Sequence, residues 1–220
     1  MQDFSRRKFI NMAAATAAAA PVAALLPTAR GASTDADQTP TQVARQRIQR
    51  LHLPNVPLVT HEGKQVRFYD DLVRDKIVTI NFFYAKCEEI CPMVNANLAK
   101  VQKMFGDQLG RKIFMYSFTL KPDEDTVDVI KHYRSMYGAK PGWTFLTGKL
   151  DDIEKLRRGI GFSYPDPAID KDKNQHIGNI RYGNEPLMLW AACPGMAHAQ
   201  WVAESISWMI HPEVNRVQAP

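Results

Sequence analysis

Cysteine is scarce, with three residues in 220. A disulfide-stapled mini-protein needs far more, and an iron–sulfur cluster would want four thiolates. Glycine (12) and proline (14) are too few for a collagen or a low-complexity tail, while 45% apolar residues supply the core of one ordinary globular domain. Charge of one sign is also short: 28 Lys and Arg stand against 23 Asp and Glu, a net charge of +5. Residues 1–31 hold +3 of that (Arg6, Arg7, Lys8 and Arg30 against Asp3), which leaves +2 for the rest. A polyanion-binding surface is a weak reading of so small a surplus, and no nucleic-acid partner is expected.

A strongly hydrophobic run is missing as well. From Phe9 to Ala29 no charged residue occurs, yet the stretch is alanine-rich and broken by Pro21 and Pro27. A spanning helix would favour Leu, Ile and Val. With Ser5-Arg6-Arg7-Lys8-Phe9-Ile10 before it, the segment reads as a twin-arginine export signal over 1–31, with cleavage near Ala29 and Gly31. The alternatives are an uncleaved leader that associates the protein with a membrane, and a chance basic start. Export implies the periplasm, where thiols can pair, and this route implies folding before translocation.

Residues 32–52 are polar and carry no apolar face long enough to pack alone, which suggests a linker with a short helix around Val43 to Arg50. The domain then covers 53–212 and a tail 213–220. Lys76 to Tyr84 is β-branched, aromatic and nearly continuously apolar, as a central strand covered on both faces should be. Val94, Leu98, Val101, Met104 and Phe105 recur at helical spacing after Pro92, and Gly106 stops them. Further strands are expected at 113–120, 143–146, 177–182 and 187–191, and further helices at 125–137, 150–160 and 200–210. This alternation, closed by a hairpin and a helix, indicates a three-layer α/β sandwich around a central mixed sheet.

The chemistry concentrates in Tyr84-Ala85-Lys86-Cys87-Glu88-Glu89-Ile90-Cys91-Pro92. Pro92 suits the first position of a helix, which puts Cys91 at the helix start, where free amides and the dipole favour thiolate. If the loop folds back, Cys87 and Cys91 can form a disulfide or grip a soft metal. A permanent structural disulfide and two unrelated buried cysteines are the bland readings. Among six histidines, His52 and His61 precede the first secure strand, His132 falls within a helix, and His198 and His211 flank the last one. His176 differs, because it follows the polar stretch Pro165 to Gln175 and directly precedes a strand.

Asn81 to Pro92 resembles the signature of the Sco/SenC family, whose CxxxCP loop lies on a thioredoxin-like fold. Pro122-Asp123-Glu124-Asp125-Thr126, the segment Trp143 to Gly148 and a late loop histidine fall in the family's order, so the similarity covers roughly residues 53 to 210. The resemblance implies a periplasmic protein that binds copper through Cys87, Cys91 and His176. It also implies a partner: an apo-cuproenzyme such as the copper subunit of a cytochrome oxidase, whose copper site the protein helps assemble. The chemistry of the donors agrees, since two thiolates satisfy Cu(I) and an added imidazole supports Cu(II). Zinc would take a fourth ligand, and none stands at finger-like spacing.

Three positions depart from the family. Lys121 stands where an aspartate is usual, and a cation near the thiols would favour thiolate and the reduced form. Gln175 replaces the aspartate before the histidine, so that Asp172 or a carbonyl would have to orient the imidazole. Cys193 is extra, either a small buried hydrophobe or a further thiol near the site, and Met188 and Met196 flank it as core residues or as a copper path. Two functions remain open: a metallochaperone, or a thiol-disulfide oxidoreductase in which Cys87 and Cys91 reduce a client's copper-ligand cysteines.

Overall fold

The computed structural model describes residues 39–172 and 178–210. The proposed export signal, the tail and His176 lie outside them. The described elements run α1 (Pro40–His52), β1 (Pro57–Thr60), β2 (Gln65–Arg67), a π-helical turn (Phe68–Val73), β3 (Ile77–Phe83), α2 (Ile90–Phe105), β4 (Ile113–Thr119), α3 (Val127–Met136), β5 (Trp143–Thr147), α4 (Leu150–Gly159), α5 (Pro167–Lys171), β6 (Asn179–Asn184), β7 (Leu189–Pro194) and α6 (Ala199–Ser207). Seven strands form one mixed sheet in the order β2-β1-β5-β4-β3-β6-β7, with β3, β4 and β5 parallel and the outer strands antiparallel. The early hairpin β1–β2 and α5 are additions to the elements read from sequence.

Period two in β3 sends alternate side chains to opposite layers. Phe83 stacks on Tyr133 of α3 at 4.8 Å between ring centroids, and Asn81 reaches Asn95 of α2. Phe82 turns the other way, to Phe118 and to Phe162 beyond α4. With both faces covered, β3 tolerates apolar residues at nearly every position, and all but Ile77 are buried. In α2, Val94, Leu98, Val101 and Phe105 form the buried stripe, and Gly106 ends the helix at φ +51. Thr126 caps α3 by accepting from the Val129 amide, and Asp166 caps α5 before Pro167.

Residues 40–52, expected as linker, belong to the domain. Thr39 and Gln42 close a capping box at the start of α1, and no residue of that helix is buried. Polar contacts hold it instead: Arg45 and Gln49 donate to the carboxylate of Glu185 at 2.8 and 3.1 Å. Glu185 is fully buried in the turn after β6 and also accepts from the Tyr69 hydroxyl and the Asp75 amide, both at 2.9 Å. The absence of an apolar face, which suggested a linker, is thus met by one buried carboxylate supplied from residues far along the chain.

Burial by itself raises the Glu185 pKa, but the Asp75 amide, Arg45 and Tyr69 outweigh it, and the carboxyl lies below its ordinary value of about 4.5. A lowered folded-state value contributes stability above the ordinary value that is lost as pH falls through the folded one. Glu185→Ala strands several donors around a partly exposed arginine and is expected to cost about 2–3 kcal/mol in urea unfolding at neutral pH. Glu185→Gln should lose the part of the acid dependence that lies below about pH 4.5. Unchanged stability in Glu185→Ala would show that α1 is not held by this carboxylate.

Candidate metal centre

β3 ends at Phe83, and the chain reverses at once: the Cys87 amide donates to the Tyr84 carbonyl at 3.1 Å. The turn carries Cys87 back over the first turn of α2, where the Cys91 amide donates to the Cys87 sulfur at 3.4 Å. Both cysteines are buried thiols outside any disulfide, 6% and 1% exposed. The spacing CxxxC is therefore what lets the first sulfur reach the amides at the start of the helix that holds the second. No side chain caps α2 at Glu89, and the sulfur takes that place.

The two thiols are displaced in opposite directions. Burial raises the Cys87 pKa, but hydrogen bonds from the Cys91 thiol, from the amides of Cys91 and Glu89 and from the Tyr84 side chain outweigh it, so Cys87 lies below the ordinary cysteine value. For Cys91 burial dominates and pushes the thiol far up, with Cys87 and Asp125 adding to it. This corrects the expectation that the helix start favours a Cys91 thiolate. The helix begins at Ile90 and not at Pro92, so Cys91 sits inside its first turn, dehydrated, and the free amides act on Cys87.

Three residues that sequence reasoning gave no role support this pair. Asp125 is buried, accepts from the Ala85 amide at 3.1 Å and from the Thr119 hydroxyl, and so ties the cysteine loop to the end of β4. Burial raises its pKa above the ordinary aspartate value, against the pull of those bonds. Asn95, one turn after Cys91, donates to the Cys91 carbonyl at 3.0 Å and to the Tyr133 hydroxyl at 3.2 Å. Behind it, Ser117 donates to Asn81 at 2.6 Å and Trp143 to Ser117 at 2.9 Å, a buried polar row across β3, β4 and β5. The available signal was polar Asn81 and Asn95 at positions where the period demands apolar residues. Tyr84 is the third: its side chain bonds Cys87, and the Lys121 ammonium lies 4.2 Å from its ring centroid. The cation over the ring face draws on its quadrupole, which places Lys121 against Tyr84.

The remaining candidates separate. Cys193 is buried in β7 opposite Ile180, its thiol pushed up to about 11 by burial, and serves as a small apolar residue there. Met196 is 54% exposed and Met188 occupies the β6–β7 turn at φ +53, so neither forms part of the core. His176 and Gln175 lie outside the described residues, and among the described residues no three His, Cys, Asp or Glu side chains cluster as a metal site would need. The chain resumes at Gly178, which packs on Ile90: a Cβ there would fall 2.4 Å from the Ile90 Cδ1. Gly195 donates to the Gly178 carbonyl at 2.8 Å and has no room for a side chain either. The start of β6 is thus held against the turn that carries Cys91.

A SCO1/SenC family model matches residues 49–180. Solved structures give the same fold. A SCO1/SenC family lipoprotein from Bacillus anthracis is 23% identical, with a TM-score of 0.61 over 73% of this chain and 96% of that one. Arabidopsis thaliana ScoI, solved with copper bound, is 18% identical with a TM-score of 0.58 over 71% and 96%. BsSco, described as a member of the Sco family of cytochrome c oxidase assembly proteins, is 18% identical with a TM-score of 0.57 over 71% and 92%. No curated protein matches the sequence. The fold is the thioredoxin-like α/β sandwich expected from the sequence.

Alkylation of the reduced protein is expected at Cys87 before Cys91. Tyr84→Phe removes one hydrogen bond to Cys87, worth about 1 kcal/mol, and should raise the apparent pKa of that thiol by about half to one pH unit. Ultraviolet thiolate absorbance and mass mapping of the labelled peptide measure both effects; first labelling at Cys91 would reverse the assignment.

Proposed function

The chain belongs to the SCO1/SenC family, and from that membership we propose that it binds a copper ion through Cys87, Cys91 and His176 and passes it to an apo-cuproenzyme. The copper is cargo, and the client we favour is the copper subunit of a cytochrome oxidase. The observation that carries this reading is the pair of soft donors: two cysteine sulfurs brought together as the Cys91 amide donates to the Cys87 sulfur, just after the central strand. Two thiols suit monovalent copper and are poor company for a hard cation. The copper-bound Arabidopsis ScoI and the assembly role given for BsSco support the cargo and the client. For His176 the support is reach. It lies two residues before Gly178, which touches Ile90, and two residues span about 7 Å at most.

The opposite displacement of the thiols favours a second reading, thiol-disulfide exchange. The Cys87 thiolate attacks one sulfur of a client disulfide and expels the other as a thiolate. Cys91, once deprotonated, attacks the Cys87 sulfur, which releases the client as a dithiol and leaves a Cys87–Cys91 disulfide. A low-pKa thiol beside a buried, high-pKa one is suited to that order of events. For either function the periplasm is our proposed location, and the twin-arginine motif Arg6-Arg7 is what supports it.

Reduced protein should bind about one copper with sulfur charge-transfer absorption, and Cys87→Ser or Cys91→Ser should abolish it. Loss of a partner behind a ligand already costs 10–100-fold in affinity, so loss of the His176 ligand should cost Cu(II) roughly 100-fold or more, and Cu(I) far less. Disulfide reductase activity should survive His176→Ala. Full copper loading of either serine variant after dialysis against a chelator removes the site; equal Cu(II) affinity in His176→Ala removes that ligand. Replacing Arg6 and Arg7 by lysine is expected to leave precursor in the cytoplasm; undiminished periplasmic protein would refute this route.

A further inference from the structure

α1 divides its arginines between two faces. Arg45, Gln49 and His52, spaced i, i+4, i+7, turn inward, the first two to Glu185 and His52 to the Gly159 carbonyl at 3.2 Å. Val43, Arg47 and Leu51, spaced i, i+4, i+8, with Arg50 beside them, form the opposite face. Val43 is 51% and Leu51 60% exposed, and both arginines are exposed. The helix contains no Asp or Glu, and neither Arg47 nor Arg50 has an ion pair among the described residues. Of the other exposed arginines, Arg74 and Arg67 pair with Asp70 and Arg158 with Asp170 and Glu154, while Arg111 has no ion pair among the described residues either.

We propose that the outer face of α1 is a contact surface for an anionic lipid bilayer. Arginine heads interleaved with apolar side chains on one exposed helical stripe suit the headgroup layer: the guanidinium groups meet lipid phosphates while Val43 and Leu51 enter the boundary between headgroups and acyl chains. An acidic protein surface would satisfy the arginines and leave the two apolar side chains in water, so the lipid accounts for more of the face. In the sequence the helix follows the charge-free stretch Phe9–Ala29 by ten residues. The polar tether through Arg45 and Gln49 uses the other side of the helix, and α1 can keep its place on the domain while its outer face is engaged. Orientation follows: the Glu185 turn lies between the membrane and β3.

The experiment is hydrogen exchange read by mass spectrometry on the full chain, with and without vesicles. Amides of residues 40–52 should gain protection on vesicles of phosphatidylcholine with about one third phosphatidylglycerol, and none on phosphatidylcholine alone. Each interfacial arginine is worth about 1 kcal/mol, so Arg47→Gln/Arg50→Gln should weaken the α1-dependent part of vesicle binding roughly 30-fold. Val43→Gln/Leu51→Gln should weaken it too, and since all four side chains are exposed these variants should fold normally. Reading exchange at α1 separates this face from the basic leader, which also seeks anionic lipid. Equal protection with soluble polyglutamate would assign an acidic protein partner and overturn the lipid. Protection that is absent, or that survives both double variants, would overturn the surface itself.

Discussion

A helix cannot begin without finding acceptors for its first amides, and at α2 one acceptor is a sulfur. From that follows the layout of the whole site. The Cys87 sulfur must lie over the start of the helix, so the chain must turn within four residues of leaving β3, and the Cys87 amide makes that turn with the Tyr84 carbonyl. The turn fixes Tyr84 beside Cys87 and leaves the Ala85 amide for Asp125. Asp125 in turn binds the Thr119 hydroxyl at the end of β4, so the loop is anchored to the neighbouring strand of the sheet. A hydrogen bond from nitrogen to neutral sulfur is weak; to a thiolate it is strong. The same contact therefore shapes the loop and helps make Cys87 the more acidic of the two thiols.

Buried ionic and polar groups do most of the remaining positioning, and each is met by several partners. Glu185 gathers α1, the π-helical turn and the turn that precedes β3 at one point. Arg157, inside α4, holds Asp170 of α5 through two bonds of 2.6 and 2.7 Å, which fixes the described chain just before residue 173. Gly178 and Gly195 fix it again after residue 177 by direct backbone contact. The segment that contains His176 is thus bounded by two firm attachments, one ionic and one steric. Burying such charges costs free energy that only complete pairing offsets, which is why every one of these groups has more than one partner.

Much of this was legible in the sequence because it is local. The strand 77–83, the stripe Val94–Leu98–Val101–Phe105 and the stop at Gly106 depend on periods and turn chemistry within a dozen residues, and the CxxxCP loop identified the site and the family. What needed contacts between distant residues was not legible. A helix without an apolar face reads as linker until Glu185, some 140 residues away, is brought to Arg45. Asn95 and Asn81 read as interruptions of an apolar pattern until the sheet aligns them with Ser117 and Trp143.

The residue types that do the chemistry, two sulfurs at a strand-to-helix junction, were determined by the sequence alone, since no folding could supply donors the chain does not contain. Which sulfur is acidic was decided only by the tertiary structure. The sequence placed Cys91 at a helix start and assigned it the thiolate. Folding dehydrated it within the first turn and gave the helix amides to Cys87, and the reason is geometric: an amide points along the helix axis, toward whatever lies before the helix, and the fold put Cys87 there.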